Sequence, residues 1–111
     1  MAVELINKND QSLKIDEYAW DTVLSLAEEF GWKPMGTLPP PLEENPSEWD
    51  KADYYSQSGQ TVTEQDSHAF GMALVRALEF IPGAESEAEE AGVKVLRDLA
   101  DFCRGGEFEI R

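Results

Sequence analysis

Two short runs of apolar residues near the N-terminus flank a polar segment. Residues 3–6 and 12–15 form the runs, and residues 7–10, with the sequence Asn-Lys-Asn-Asp, have the composition of a turn. Near the C-terminus, charged and apolar residues alternate over 107–110, as in a half-buried strand. We therefore predict an N-terminal hairpin with a C-terminal strand beside it.

Three longer segments repeat apolar residues at helical spacing. The first predicted helix covers residues 16–30 and is capped by Asp16. The second follows Thr63, which we expect to form a capping box with Asp66, and it extends to residues 82–83. Both helices thus begin with a side chain that accepts hydrogen bonds from the first turn.

A third helix is predicted from near Ser86, with Glu89 three residues later, to the glycine pair at 105–106. The helices and strands together predict an α+β fold that is mostly helical, with a small antiparallel sheet from the N-terminal hairpin and the C-terminal strand. The side chains predicted to face the core are Trp20, Val23, Leu24, Ala27, Phe30, Ala69, Phe70, Ala73, Leu74, Ala77, Leu78, Val93, Leu96, Leu99, Ala100 and Cys103.

Residues 31–60 hold five of the six prolines, so we expect no long helix or strand there. The same segment is rich in large side chains, which predicts a loop held against the body of the protein instead of a flexible linker. These side chains are Trp32, Met35, Trp49, Tyr54 and Tyr55.

The length of 111 residues, 41% of them hydrophobic, predicts a single folded domain over 1–111. Cys103 is the only cysteine, which excludes an intramolecular disulfide and indicates a reducing environment. The N-terminal residues lack the pattern of a secretion signal, and no run approaches the roughly 18 apolar residues of a membrane span. We therefore expect a cytoplasmic protein.

Acidic residues dominate the charge of the chain. There are 23 aspartates and glutamates against 9 lysines and arginines, for a net charge of -14. A field of this sign repels phosphate backbones and anionic lipid headgroups, so nucleic acids and membrane surfaces are poor partners. Cations or a basic protein surface are better ones.

The sequence offers little support for catalysis. A serine or cysteine nucleophile needs a base, and the only histidine, His68, lies in the first turn of the second predicted helix, where a surface role is more common. Cys103 lies on an apolar helix face, as an inert thiol does. Two carboxylates alone can hydrolyse glycosides, but a sugar cleft is difficult to build in so short a chain. We therefore expect that the protein is not an enzyme.

Carboxylates are concentrated in the segment 43–66, which has seven acidic residues against the single base Lys51. Hard cations prefer oxygen ligands, and Ca²⁺ accepts six to eight of them in flexible geometry. We therefore predict a calcium site here. Calcium is favoured over zinc because thiolates and imidazoles are scarce, and over a dedicated magnesium site because magnesium requires a tighter octahedron and usually keeps its waters. The predicted ligands are Asp50, Asp53, Glu64 and Asp66.

Such a site would not be an EF-hand, because the chain has no D-x-[DN]-x-[DN]-G segment. A second acidic run, at 85–90, has a structural explanation, because negative charge stabilises a helix N-terminus. A solvated face that keeps the protein soluble also remains an alternative for the carboxylates of 43–66. Against it, a net charge of -14 destabilises the fold unless something relieves the repulsion.

Four blocks of sequence resemble a group of small, mostly uncharacterised bacterial proteins: Phe30 to Thr37 (FGWKPMGT), Tyr55, Gly59 to Asp66 (GQTVTEQD) and Phe102 to Ile110 (FCRGGEFEI). The resemblance implies a shared fold and names no reaction. In size and acidity the chain is also similar to the small acidic calcium-binding proteins of filamentous cyanobacteria, which lack EF-hands. That similarity implies calcium binding and a role as a cytoplasmic calcium buffer or sensor in calcium signalling.

The alternative function is an acidic protein-protein interaction module, of the inhibitor or immunity type, whose carboxylates meet a basic partner. Aromatic side chains are common anchors at such interfaces, and Trp49, Tyr54 and Tyr55 would serve here.

Overall fold

The computed structural model describes residues 2–41, 43–80 and 87–111, with the side chains of 87–89 left out of the description. Within these residues the chain forms an α+β fold of three α-helices and a five-stranded antiparallel sheet. The elements in chain order are β1 (Ala2–Asn7), β2 (Ser12–Asp16), α1 (Glu17–Glu29), β3 (Thr37–Leu38), a 3₁₀ turn (Pro46–Glu48), β4 (Gln60–Val62), α2 (Glu64–Phe80), α3 (Glu87–Cys103) and β5 (Phe108–Ile110).

The strands lie in the order β2-β1-β5-β4-β3, and neighbouring strands are antiparallel. Strand register places one row of side chains toward the helices: Val3 lies opposite Ile15, and Leu5 lies opposite both Leu13 and Ile110. Because side chains alternate along a strand, Glu4 and Glu109 point to the other face and are only partly buried. One face of the sheet is therefore apolar and forms one side of the hydrophobic core.

The helices cover the apolar face. Helix α1 packs against β1 and β2, α3 packs against β2, and α2 packs against both other helices. Aromatic rings tie α1 and the following loop to α2: the centroid of the Phe70 ring is 5.9 Å from that of Trp20 and 4.8 Å from that of Trp32. The Trp32–Phe70 pair is edge-to-face, an arrangement that adds to the free energy gained by burial alone.

The predicted helices agree closely with those of the structure. Asp16 caps α1 by accepting from the backbone N–H groups of Tyr18 and Ala19. Thr63 Oγ1 accepts from the N–H of Asp66 in the first turn of α2. Most of the predicted core side chains are buried, and Phe30, Ala69 and Leu78 are half-buried against the core. Val93 is half-buried but is not among the residues that pack against the core.

The structure differs from the predicted fold in two respects. The sheet contains β3 and β4 in addition to the predicted hairpin and C-terminal strand, because segments of two and three residues are too short to show an alternating pattern. Asp66 turns into the protein, so it does not complete the expected capping box with Thr63. The predicted end of α2 at 82–83 and the predicted cap Ser86 lie outside the described residues.

In the ranges that the structure covers, no helix is both long enough and apolar enough to cross a membrane.

Candidate functional site

Asp66, one of the four predicted calcium ligands, lies in the first turn of α2 and is fully buried. Its Oδ1 atom accepts from the indole Nε1 of Trp32 at 2.9 Å and from the backbone N–H of Met35 at 3.4 Å. Its Oδ2 atom accepts from the hydroxyl of Tyr54 at 2.6 Å. Both carboxylate oxygens therefore already accept hydrogen bonds, and a metal ion at Asp66 would compete with these donors.

The same network holds residues 31–60, which we call the proline-rich segment, against the helices. The hydroxyl of Tyr54 accepts from the N–H of Gly36, and the carbonyl of Tyr54 accepts from the indole N–H of Trp20, both within 2.9 Å. Trp49 donates its indole N–H to Thr37 Oγ1 at 3.0 Å. The prediction of a pinned loop is thus confirmed, and Asp66 lies at the centre of its attachment.

Of the other three predicted ligands, Asp50 and Glu64 are exposed and Asp53 is half-buried. Asp50 Oδ1 accepts from the N–H of Ala52 at 3.0 Å. Asp53 Oδ1 accepts from the N–H groups of Tyr55 and Ser56 at 2.9 and 2.8 Å. Glu64 is exposed at the start of α2. Two of these carboxylates are thus occupied in Asx-type turns, in which the side chain replaces a backbone acceptor.

The pKa of Asp53 reflects this turn. Burial by itself would raise the pKa, but hydrogen bonds from Ser56 and Tyr55 favour the charged form more strongly, and the net result is a pKa below the ordinary value. Asp53 is accordingly ionised at neutral pH and adds to the negative potential of the loop.

The described side chains contain no group of three or more His, Cys, Asp or Glu residues close enough to hold a metal ion. Asp50, Asp53, Glu64 and Asp66 are thus not brought together as one such group. In addition, the carbonyls of Lys51 and Asp53, which lie in the predicted site, accept hydrogen bonds from Thr37. Calcium binding stays a prediction from the sequence.

Helix α1 carries an acidic surface. The helix contains four acidic residues and no lysine or arginine. Glu17, Asp21 and Glu28 are all exposed, and at 100° per residue they fall within about 40° of one another around the helix axis. We call these three residues the α1 acidic stripe. The carboxylate of Glu17 accepts a hydrogen bond from the side-chain amide of Gln57 at 3.0 Å, which places the stripe next to the loop that packs on α1.

Tyr55 lies across from the α1 acidic stripe on the segment that follows Asp53. Its side chain is 56% exposed, whereas the adjacent Tyr54 is only 4% exposed. The pKa of Tyr55 is raised, first by partial burial and then by a hydrogen bond to Asp21 and the negative charges of Asp21 and Glu28. The phenol is therefore protonated and lies within the field of two carboxylates.

A groove with a volume of about 150 Å³ runs between α1 and the part of the loop that bears Tyr55. Leu24, Trp32 and Pro34 contribute apolar surface to it, and Glu28 and Tyr55 contribute polar groups. The groove was not predicted from the sequence, because its two sides lie about 30 residues apart in the chain.

Of the three predicted anchors, the structure leaves only Tyr55 well exposed. Tyr54 is buried against Asp66, and Trp49 is half-buried with its indole N–H committed to Thr37. These two aromatic residues stabilise the loop and are not available as the prominent contacts that the sequence predicted.

His68 and Cys103 line a second groove, between α2 and α3. His68 is exposed, and Cys103 is 1% exposed. Burial raises the pKa of the Cys103 thiol to about 12, so the thiol is protonated at neutral pH and is a weak nucleophile. The buried, unreactive character predicted for Cys103 fits this environment.

Comparisons with protein-family models, with curated proteins and with solved structures found no match to this chain. The resemblances to small bacterial proteins and to cyanobacterial calcium-binding proteins therefore remain predictions.

Proposed function

We propose that the protein is an acidic interaction module that binds a basic protein through the α1 acidic stripe. The observation that carries the proposal is the alignment of Glu17, Asp21 and Glu28 beside the exposed ring of Tyr55, on a helix with no basic residue. Complementary charge increases the rate of association and selects against wrong partners.

Tyrosine is suited to the centre of such a surface. It provides a large apolar area with a polar tip, and few side-chain rotations are lost on binding. The loop that bears Tyr55 is already fixed by the Asp66 network, because Tyr54 precedes it directly in the chain. A fixed loop lowers the entropy cost of association, since the contact surface is ordered before the partner arrives.

Overall charge alone would attract any polycation, so the test must separate a localised surface from the net field. A triple variant of the stripe, with Glu17→Gln, Asp21→Asn and Glu28→Gln, removes three negative charges. The matched control removes three exposed charges elsewhere, with Glu48→Gln, Glu79→Gln and Glu90→Gln. The two variants have the same net charge and differ only in where the charge was lost.

Each protein is immobilised in buffer with a calcium chelator, a basic partner is captured from the source cell lysate, and the purified partner is then titrated by calorimetry. We expect the wild type and the control variant to bind this partner with similar affinity and the stripe variant to bind at least about tenfold more weakly. Equal weakening by both variants, or no basic partner in any eluate, would contradict the proposal.

A further inference from the structure

The groove beside the α1 acidic stripe is too small for a typical organic ligand. Its volume of about 150 Å³ lies below the roughly 300–1,000 Å³ of pockets for drug-sized molecules. A space of this size suits a single long side chain. It also lies within the surface through which we propose that the protein binds a basic partner.

The groove combines two kinds of surface. Leu24, Trp32 and Pro34 provide apolar contact, whereas the Glu28 carboxylate and the Tyr55 side chain lie along the same groove. The negative charge of Asp21, which helps to raise the pKa of Tyr55, adds a second carboxylate near this groove. A side chain with an aliphatic stem and a cationic end would complement both parts of the groove, with the stem against the apolar part and the cation beside the carboxylates.

Arginine fits this combination better than lysine. A guanidinium group is planar, donates to a carboxylate through two parallel N–H groups, and is more weakly hydrated than an ammonium group. It therefore loses less hydration on entering a groove with apolar walls, and it has donors left for the oxygen of Tyr55.

We propose that this groove binds one arginine side chain of the basic partner, with its stem against the exposed ring of Pro34 and the accessible edges of Leu24 and Trp32, and its guanidinium beside Glu28 and Tyr55. This inference rests on the proposed function, because it assigns the partner's contact residue at the same surface. It adds a position and a chemical class of ligand that the charge of the stripe alone does not specify.

The test uses blocked Gly-Arg-Gly and Gly-Lys-Gly peptides, titrated into the ¹⁵N-labelled full-length protein and followed by NMR. The indole N–H of Trp32 reports on the groove, and that of Trp49, which does not line the groove, is the internal control. We expect the arginine peptide to shift the Trp32 signal and to bind at least about threefold more tightly than the lysine peptide. Equal binding of both peptides, or equal shifts at Trp32 and Trp49, would overturn the inference.

Neighbouring glutamates provide a matched pair of variants. Glu28→Gln removes a groove carboxylate, whereas Glu29→Gln removes the same charge from an exposed position outside the groove. We expect Glu28→Gln to weaken arginine binding about fivefold and Glu29→Gln to weaken it less than about twofold. Retained dispersion of the NMR spectrum confirms that each variant is folded.

The peptide experiment and the partner experiment have independent outcomes. If the arginine peptide does not bind the groove but the stripe variant still loses the basic partner, the groove inference is wrong and the proposed function stands. If the purified partner binds the stripe variant and its matched control equally, the proposed function is wrong, and peptide binding at the groove then has no role in partner recognition.

Discussion

The hydroxyl of Tyr54 donates a 2.6 Å hydrogen bond to Oδ2 of Asp66, a residue 12 positions later in the chain. This bond joins the proline-rich segment to the first turn of α2 inside the protein. It also explains why Tyr54 and Tyr55, which are neighbours in sequence, have different roles: the first is buried as an attachment, and the second is left at the surface.

Replacing Asp66 tests the importance of this attachment. Asp66→Ala leaves the indole N–H of Trp32 and the hydroxyl of Tyr54 without their acceptor in a buried place. We expect the free energy of unfolding, measured with urea, to fall by about 3 kcal/mol. Glu64→Ala, an exposed change two residues earlier, should cost less than about 1 kcal/mol. Similar losses in both variants would contradict the buried role of Asp66.

Alkaline pH should lower the free energy of unfolding because of the Tyr54 hydroxyl. Burial, and then the hydrogen bond to Asp66, raise the pKa of the Tyr54 hydroxyl above its ordinary value of 10. Above pH 10 the unfolded state releases this proton while the folded state keeps it, so the unfolded state binds fewer protons and stability falls with rising pH. This contribution is fully present below pH 10 and is lost as the pH approaches the folded-state pKa.

The measurement is urea unfolding at a series of pH values on either side of 10. We expect the free energy of unfolding of the wild type to fall more steeply above pH 10 than that of Tyr54→Phe, which has no hydroxyl to titrate. Tyr18→Phe, at a residue that is 86% exposed, should keep the wild-type slope. Identical slopes for the wild type and Tyr54→Phe would refute this assignment.

Two glycines in helices should respond in opposite directions to alanine. A β-carbon at Gly71 would lie 2.9 Å from Cβ of Cys103, where α2 and α3 pack closely, whereas one at Gly92 would meet no atom within 4 Å among the described residues. Gly71→Ala should lower the free energy of unfolding by about 1–3 kcal/mol through overpacking. Gly92→Ala should raise it by up to about 1 kcal/mol through helix propensity. Stabilisation by both substitutions would show that the helices can separate at little cost.

The calcium hypothesis has a separate test. If the carboxylates of 43–66 bind Ca²⁺, micromolar calcium should raise the melting temperature of chelator-treated protein well beyond the effect of equal magnesium. Asp50→Asn with Asp53→Asn should then abolish the difference, while Glu79→Gln should preserve it. Absence of a calcium-specific shift would contradict calcium binding and would leave the binding of a basic partner untouched.

Local interactions account for the parts of the fold that the sequence predicted well. The caps Asp16 and Thr63 act within three residues of themselves, and helical spacing of apolar residues is visible within one or two turns. The hairpin is likewise closed by a nearby turn. The α+β class and the bounds of α1 therefore followed from short stretches of the chain, without knowledge of what packs against them.

Interactions between distant segments were decided only by the tertiary structure. Asp66 has the spacing of a capping-box residue, yet its buried partners Trp32 and Tyr54 lie 34 and 12 positions earlier and draw its carboxylate inward. The groove likewise requires α1 and the segment around Tyr55 to meet. Charge along the sequence determined that the protein is strongly acidic. Packing determined which carboxylates are buried and which cap turns, because each depends on donors and neighbours that only the folded chain brings together.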